Sequence, residues 1–202
     1  MDIITSDQKT ALIYACQNNN IVLVKELLNH GASINFDNLE DSNPLKKAFE
    51  NKNIHIIKLL IERGVEITTF NDIYYQLLPF NYTYLDFEIA KYLIDLGFDI
   101  NKQNEYLSTS LMFACNKNNK EVVEYIINHD AKLDIKNKYG RTALMIACKA
   151  GNMDVVKCLV EHQANVNLRD NKKYSALIYA YKNSHLNIVE YLLKNGHDVT
   201  TE

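Results

Sequence analysis

Apolar residues recur at intervals of three and four in five short segments of this chain: "IVLVKELLNHG" (21–31), "IHIIKLLIERG" (54–64), "KEVVEYIINHD" (120–130), "MDVVKCLVEHQ" (153–163) and "LNIVEYLLKNG" (186–196). That spacing lays one apolar stripe along a helix and predicts five amphipathic helices. Three of them end on Gly, the residue that closes a helix most easily in a left-handed conformation. Ahead of four of the five stand "TALIYACQNN" (10–19), "TSLMFACNKN" (109–118), "TALMIACKAG" (142–151) and "SALIYAYKNS" (175–184), each opening on Ser or Thr. A hydroxyl there can cap free backbone N–H groups, so each predicts a shorter first helix. Segments such as "ASINFDNLEDS" and "ANVNLRDNKKY" lie between the pairs, and their Asn and Asp side chains can bond the local backbone. They predict extended turns.

The helix pairs repeat on a period of 33 residues. Gly31, Gly64, Gly97 and Gly196 fall on one ladder, with Asp130 and Gln163 on its two remaining rungs. Ala15, Ala48, Ala114, Ala147 and Ala180 form a second, interrupted by Asn81, and Asn38, Asn71, Asn104, Asn137 and Asp170 a third. The stretch from 71 to 97, rich in Tyr and Phe and broken by Pro79, keeps Asn71 and Gly97 on their rungs. It is a repeat with an altered interior. Its second helix reads normally as "FEIAKYLIDLG", whereas Pro79 forces Leu78 from helical angles and predicts a helical segment from about Asp72 to Leu78, then a loop through Tyr84. Tyr82, Tyr84 and Phe87 either fill the space left by a shortened helix or form a binding loop.

The motifs "TALIYA", "NPLKKA", "TSLMFA", "TALMIA" and "SALIYA" resemble the T-P-L-H-x-A signature of ankyrin-repeat proteins, and the resemblance covers nearly the whole chain in six units. It implies an all-α fold: an ankyrin-type α-solenoid of helix-turn-helix repeats joined by β-turn fingers. It also implies a single array over 1–202, with repeats at about 5–37, 38–70, 71–103, 104–136, 137–169 and 170–202. The sequence departs from the signature at its His, replaced by Ile13, Lys46, Met112, Met145 and Ile178, and keeps its Pro only at Pro44. Apolar packing must then carry more of the stacking.

Composition narrows the function. The 202 residues are 47% hydrophobic with a net charge of −3, and no run of about eighteen apolar residues would span a membrane. The N-terminus lacks the pattern of an export signal. His30, His129 and His162 share one slot at the ends of second helices, where an imidazole suits the helix dipole. The "HD" at 129–130 resembles a phosphohydrolase dipeptide but is explained by that slot. Cys16, Cys115 and Cys148 share a slot beside the buried Ala, and Cys158 has no evident mate. Four cysteines without a disulfide framework point to a reducing, intracellular and cytoplasmic setting. No phosphate loop, nucleophile elbow or zinc-protease motif appears, and no cofactor or metal is expected.

The expected function is therefore non-catalytic: a protein-interaction module or scaffold. Two other classes stand beside it. One is an enzyme with a pocket at the irregular third repeat. The other is nucleic-acid binding through the C-terminal half, since residues 100–202 carry 14 Lys and Arg against 11 Asp and Glu while residues 1–99 carry 8 against 14. That asymmetry is modest and argues little for nucleic acid. The resemblance implies a concave surface of turn tips and first helices. Its turn-tip slots hold Tyr75, Tyr106, Tyr139, Arg141, Lys172 and Tyr174, and its helix slots Tyr14, Phe113, Lys149, Tyr179 and Lys182. Tyr14, Phe113 and Tyr179 can equally be core residues. Tyr and Arg dominate interface energetics, so this surface is expected to accept an acidic or mixed segment of another protein. The end repeats are no more polar than the inner ones, so the chain is expected to self-associate or to belong to a longer array.

Overall fold

A computed structural model describes residues 9–35, 43–65 and 84–196, and of residues 84–86 the backbone alone. Eleven helices and no strand lie among the described residues: α1 Ala11–Gln17, α2 Ile21–Asn29, α3 Pro44–Glu50, α4 Ile54–Glu62, α5 Tyr84–Asp95, α6 Ser110–Asn116, α7 Lys120–Ile127, α8 Ala143–Ala150, α9 Met153–Glu161, α10 Ala176–Lys182 and α11 Leu186–Lys194. They fall into two compact units, divided within α5: Tyr84–Ile89 goes with the first unit, and the chain from Ala90 on with the second.

The first unit is built from the pairs α1/α2 and α3/α4. Leu12, Ile13 and Cys16 of α1, Leu45 and Ala48 of α3, and Ile56, Ile57 and Leu60 of α4 are buried together. Each fully buried aliphatic side chain contributes about 1.5–3 kcal/mol. In the second unit the pairs α6/α7, α8/α9 and α10/α11 follow the same plan, with first helix packed on first helix and second on second. The alanine ladder explains the close approach: Ala15, Ala48, Ala114, Ala147 and Ala180 are all buried, and a larger side chain there would force neighbouring helices apart. Ile13, Met112 and Met145, which replace the signature His, are buried as well. Apolar packing does carry the stacking there.

Caps follow the sequence with one correction. Thr10, Thr142 and Ser175 accept from the N–H of Ile13, Met145 and Ile178 at 3.4, 3.4 and 3.3 Å. Thr109 stands at the same position without such a bond, and the neighbouring Ser110 hydroxyl instead donates to the Ile100 carbonyl at 3.1 Å. Second helices are capped by Asn20, Asn53 and Asn119, which accept from Leu23, from His55 and Ile56, and from Val122. This is another ladder of 33. A further correction concerns α5, which begins at Tyr84 rather than after it. Tyr84, Leu85 and Asp86 contain no helix breaker, and Pro79 lies too far upstream to stop a helix there. Phe87 is buried, as a space-filling role requires. The expected segment Asp72–Leu78, Pro79 and Tyr82 lie outside the described residues.

Among the described residues no helix is long and apolar enough to cross a membrane. Cys16, Cys115, Cys148 and Cys158 are free and buried, and burial pushes the Cys16 thiol up to about 12, which keeps it protonated and inert.

Candidate functional site

The third ladder builds the surface that sequence singles out. In each finger of the second unit an Asn or Asp side chain accepts from the backbone N–H groups two and four residues ahead. Asn104 accepts from Tyr106 and Ser108 at 2.9 Å each, Asn137 from Tyr139 and Arg141 at 3.0 and 3.1 Å, and Asp170 from Lys172 and Tyr174 at 2.8 and 2.9 Å. The backbone N–H of Leu107, Gly140 and Lys173 then closes a turn onto the carbonyl of Asn104, Asn137 and Asp170. Those three residues are left-handed, with φ of 53°, 75° and 68°. The residue before each, Tyr106, Tyr139 or Lys172, is exposed at the tip. Successive fingers are joined through Lys138 N–H to the Tyr106 carbonyl at 3.0 Å and Asn171 N–H to the Tyr139 carbonyl at 3.1 Å.

Cations are interleaved with the rings. Lys138 Nζ stands 3.6 Å from the Tyr106 ring centroid and 5.3 Å from that of Tyr139. The Arg141 guanidinium lies 5.3 Å from the Tyr139 ring and 5.2 Å from that of Tyr179. Lys182 Nζ sits 3.9 Å from the Tyr174 ring, and it donates at 2.7 Å to the Tyr174 hydroxyl, whose pKa this bond and charge lower. Cation–π contacts of this kind favour the observed ring placements by about 0.5–1 kcal/mol each at exposed sites.

One candidate serves the surface from beneath. Tyr179 is only 6% exposed; its hydroxyl donates to Asp170 Oδ2 at 2.6 Å and accepts from Arg141 Nε at 2.7 Å. Burial raises the Asp170 carboxyl, but the bonds from Tyr179, Tyr174 and Lys172 and the charge of Arg141 outweigh it, holding the group below the ordinary carboxylate range. Burial and the Asp170 bond push the Tyr179 hydroxyl up. The second unit thus brings together Tyr106, Tyr139, Arg141, Tyr174, Tyr179 and Lys182, with Lys149 and Lys172 exposed and Phe113 half-buried on α6. Tyr14 belongs to the first unit, half-buried, with Lys9 Nζ 5.4 Å from its ring. Tyr75 lies outside the described residues. Lys138 and Asp170 were missed by sequence reasoning, although the Asn ladder marked the slot Asp170 fills.

The histidine slot is structural. The Nδ1–H of His30, His129 and His162 donates to the carbonyl four residues back, in Glu26, Tyr125 and Cys158, at 2.8, 2.8 and 2.7 Å. Each satisfies a carbonyl at a helix end. Among the described residues no three His, Cys, Asp or Glu are grouped to hold a metal.

Charge divides by face. Residues 104–118, 137–151 and 170–184, the fingers and first helices of the second unit, hold seven Lys and Arg against Glu105 and the buried Asp170. Helices α7, α9 and α11 hold three Lys against five Asp and Glu.

The profile of a family described as ankyrin repeats (3 copies) matches residues 1–71, 82–170 and 111–202, leaving out only 72–81, the altered interior that carries Pro79. The crystal structure of an ankyrin repeat domain from Acinetobacter baumannii AYE is similar over 93% of this chain and 98% of that one, with a TM-score of 0.80 and 26% identity. No curated protein matches the chain.

Proposed function

We propose, for a chain that belongs to the ankyrin-repeat family, whose repeats generally mediate contacts between proteins, that the finger and first-helix face of its second unit binds an acidic or mixed segment of a partner protein. The carrying observation is the interleaving of Tyr106, Lys138, Tyr139 and Arg141 along two fingers whose backbones are fixed by Asn104 and Asn137. Rings held in advance lose little conformational freedom on binding. The basic balance of this face, set against acidic second helices, supports a partner segment of negative charge. Lys149, Lys172 and Lys182 form its cationic rim, and Tyr179 with Asp170 supports it from below. The module acts by binding and needs no cofactor.

Replacing Tyr106, Tyr139 and Tyr174 by Ala tests this. Helical content should stay almost unchanged, while affinity for a partner recovered with the wild-type chain should fall by more than about 2 kcal/mol, the scale of an interface hot spot. Binding that survives this change but is lost on altering Tyr82 and Tyr84 would move the site to the irregular repeat. A steeply salt-dependent affinity for DNA or RNA would favour the nucleic-acid reading.

A further inference from the structure

The 33-residue register makes each side chain comparable with its equivalents, and two sets of slots change character at the ends. Leu23 of α2 is 44% exposed, whereas Ile56, Ile89, Val122, Val155 and Ile188 in the same slot are all buried. Leu27 is half-buried, although its equivalents Leu60, Leu93, Ile126, Leu159 and Leu192 are buried. At the other end, Tyr181 of α10 is 68% exposed where Cys16, Phe49, Cys115 and Cys148 are buried, and Leu193 of α11 is 46% exposed where Leu28 and Ile94 are buried and Ile61, Ile127 and Val160 half-buried. Leu177 and Val189 are half-buried where Leu144 and Val156 are buried.

The two sets are opposite halves of one interface. The Leu23 and Leu27 slots, open in α2, are closed at Ile56 and Leu60, at Val155 and Leu159 and at Ile188 and Leu192, each of which follows another helix pair of its own unit. Where another pair of the same unit follows, the Tyr181 slot is buried, at Cys16, Cys115 and Cys148, and the Leu193 slot is buried at Leu28 and half-buried at Ile127 and Val160. Within each unit, at α1/α2 on α3/α4, α6/α7 on α8/α9 and α8/α9 on α10/α11, first helix already meets first helix and second meets second, and the buried Phe49 shows that the Tyr181 slot takes an aromatic ring. We infer that two copies of this chain join head to tail, the last pair α10/α11 of one copy seating on the first pair α1/α2 of the next. A polar contact carries over too. Asn51 Nδ2 donates to the Cys16 carbonyl across a pair junction at 2.9 Å, and 33 residues earlier stands Asn18, whose counterpart acceptor at the far end is the Tyr181 carbonyl. Neither face carries a block of like charge: residues 9–35 hold Lys9, Lys25 and Glu26, and Lys194 on α11 is paired with Glu190. The contact is heterologous, because different patches meet, and so it does not close on itself in a dimer. It is independent of the groove reading, since it uses no residue of that surface.

Sedimentation equilibrium on the 202-residue chain tests it. The average mass should climb with concentration from 23.3 kDa past that of two copies. Leu23→Glu, which blocks the first face, and Tyr181→Glu with Leu193→Glu, which blocks the second, should each leave a monomer with unchanged far-ultraviolet circular dichroism, all three sites being exposed. An equimolar mixture of the two variants retains one free face of each kind and should stop at two copies. A wild-type chain that stays at 23.3 kDa throughout overturns the inference. So does a Leu23→Glu chain that still dimerises alone, which would mean that like faces pair, or a mixture that remains monomeric. Leu23→Lys repeats the first block with the opposite charge and must behave as Leu23→Glu does.

Discussion

The finger tips of the second unit and the described ends of the second helices both pass through left-handed residues at intervals of 33, yet they admit side chains on different terms. At the helix ends Gly31, Gly64, Gly97 and Gly196 share their slot with Asp130 and Gln163, all at φ between 62° and 88°. A Cβ added to any of those glycines would meet nothing within 4 Å. Conformation alone penalises a side chain there, and the sequence has twice accepted the cost. At the fingers the slot holds Leu107, Gly140 and Lys173. A Cβ on Gly140 would stand 2.7 Å from the backbone nitrogen of Asn171 in the next finger. The turn fixes the angle in both regions, and at Gly140 a neighbouring backbone also fixes the residue.

The largest expected effect follows directly. Gly140→Ala combines left-handed strain with a clash against backbone bonded to its own finger, because Asn171 N–H donates to the Tyr139 carbonyl. It should cost about 3 kcal/mol in denaturant unfolding of the second unit. Leu107→Gly, at the equivalent slot, should be close to neutral. Were the two to differ by less than about 1 kcal/mol, the fingers would be sliding freely past each other and the contrast with the helix ends would collapse.

Asp170 tests what holds a finger together. Asn137 performs the two backbone bonds without a charge, so Asp170→Asn should keep the turn and lose only what Oδ2 supplies: the Tyr179 bond at 2.6 Å and the approach of Arg141 at 3.8 Å. The expected cost is about 1.5 kcal/mol at neutral pH, the lower end for bonds to a charged group. Because the folded carboxyl lies below its ordinary range, this contribution is present above about pH 4, where the unfolded carboxyl is also ionised, and is lost as pH falls through the folded value. The stability difference between wild type and Asp170→Asn should therefore shrink on acidification below about pH 4. A difference independent of pH would mean that shape rather than charge holds this finger.

The same residues mark how far the sequence can be read. Helix pairs, alanine contacts and left-handed rungs were legible because each is a local requirement repeated at a fixed interval. The Asn104, Asn137 and Asp170 ladder was visible as spacing, but its bonds were not, since an Asn in a turn has several backbone groups within reach. Tyr179 could not be assigned from its helix: Tyr14 and Phe113 occupy the same slot and are half-buried. What closes over Tyr179 is Arg141, which lies 38 residues earlier. Lys138 was overlooked for a related reason, as its pairing with Tyr106 depends on the offset between two fingers.

The smallest effect has the opposite sign. Gln163 is exposed, sits at φ 67° and closes α9 through its N–H to the Val160 carbonyl at 2.9 Å. A backbone N–H makes that bond, so glycine preserves it. Gln163→Gly should relieve about 1 kcal/mol of left-handed strain and lose roughly half of that to the greater freedom of glycine in the unfolded chain. A net gain near 0.5 kcal/mol is expected, and the reverse change Gly97→Ala should lose a similar amount. Both shifts are within reach of paired denaturation curves run on the same day with a shared m-value. If Gln163→Gly destabilises instead, the glutamine side chain makes a contribution of its own at that helix end, and open space would no longer distinguish the helix ends from the fingers.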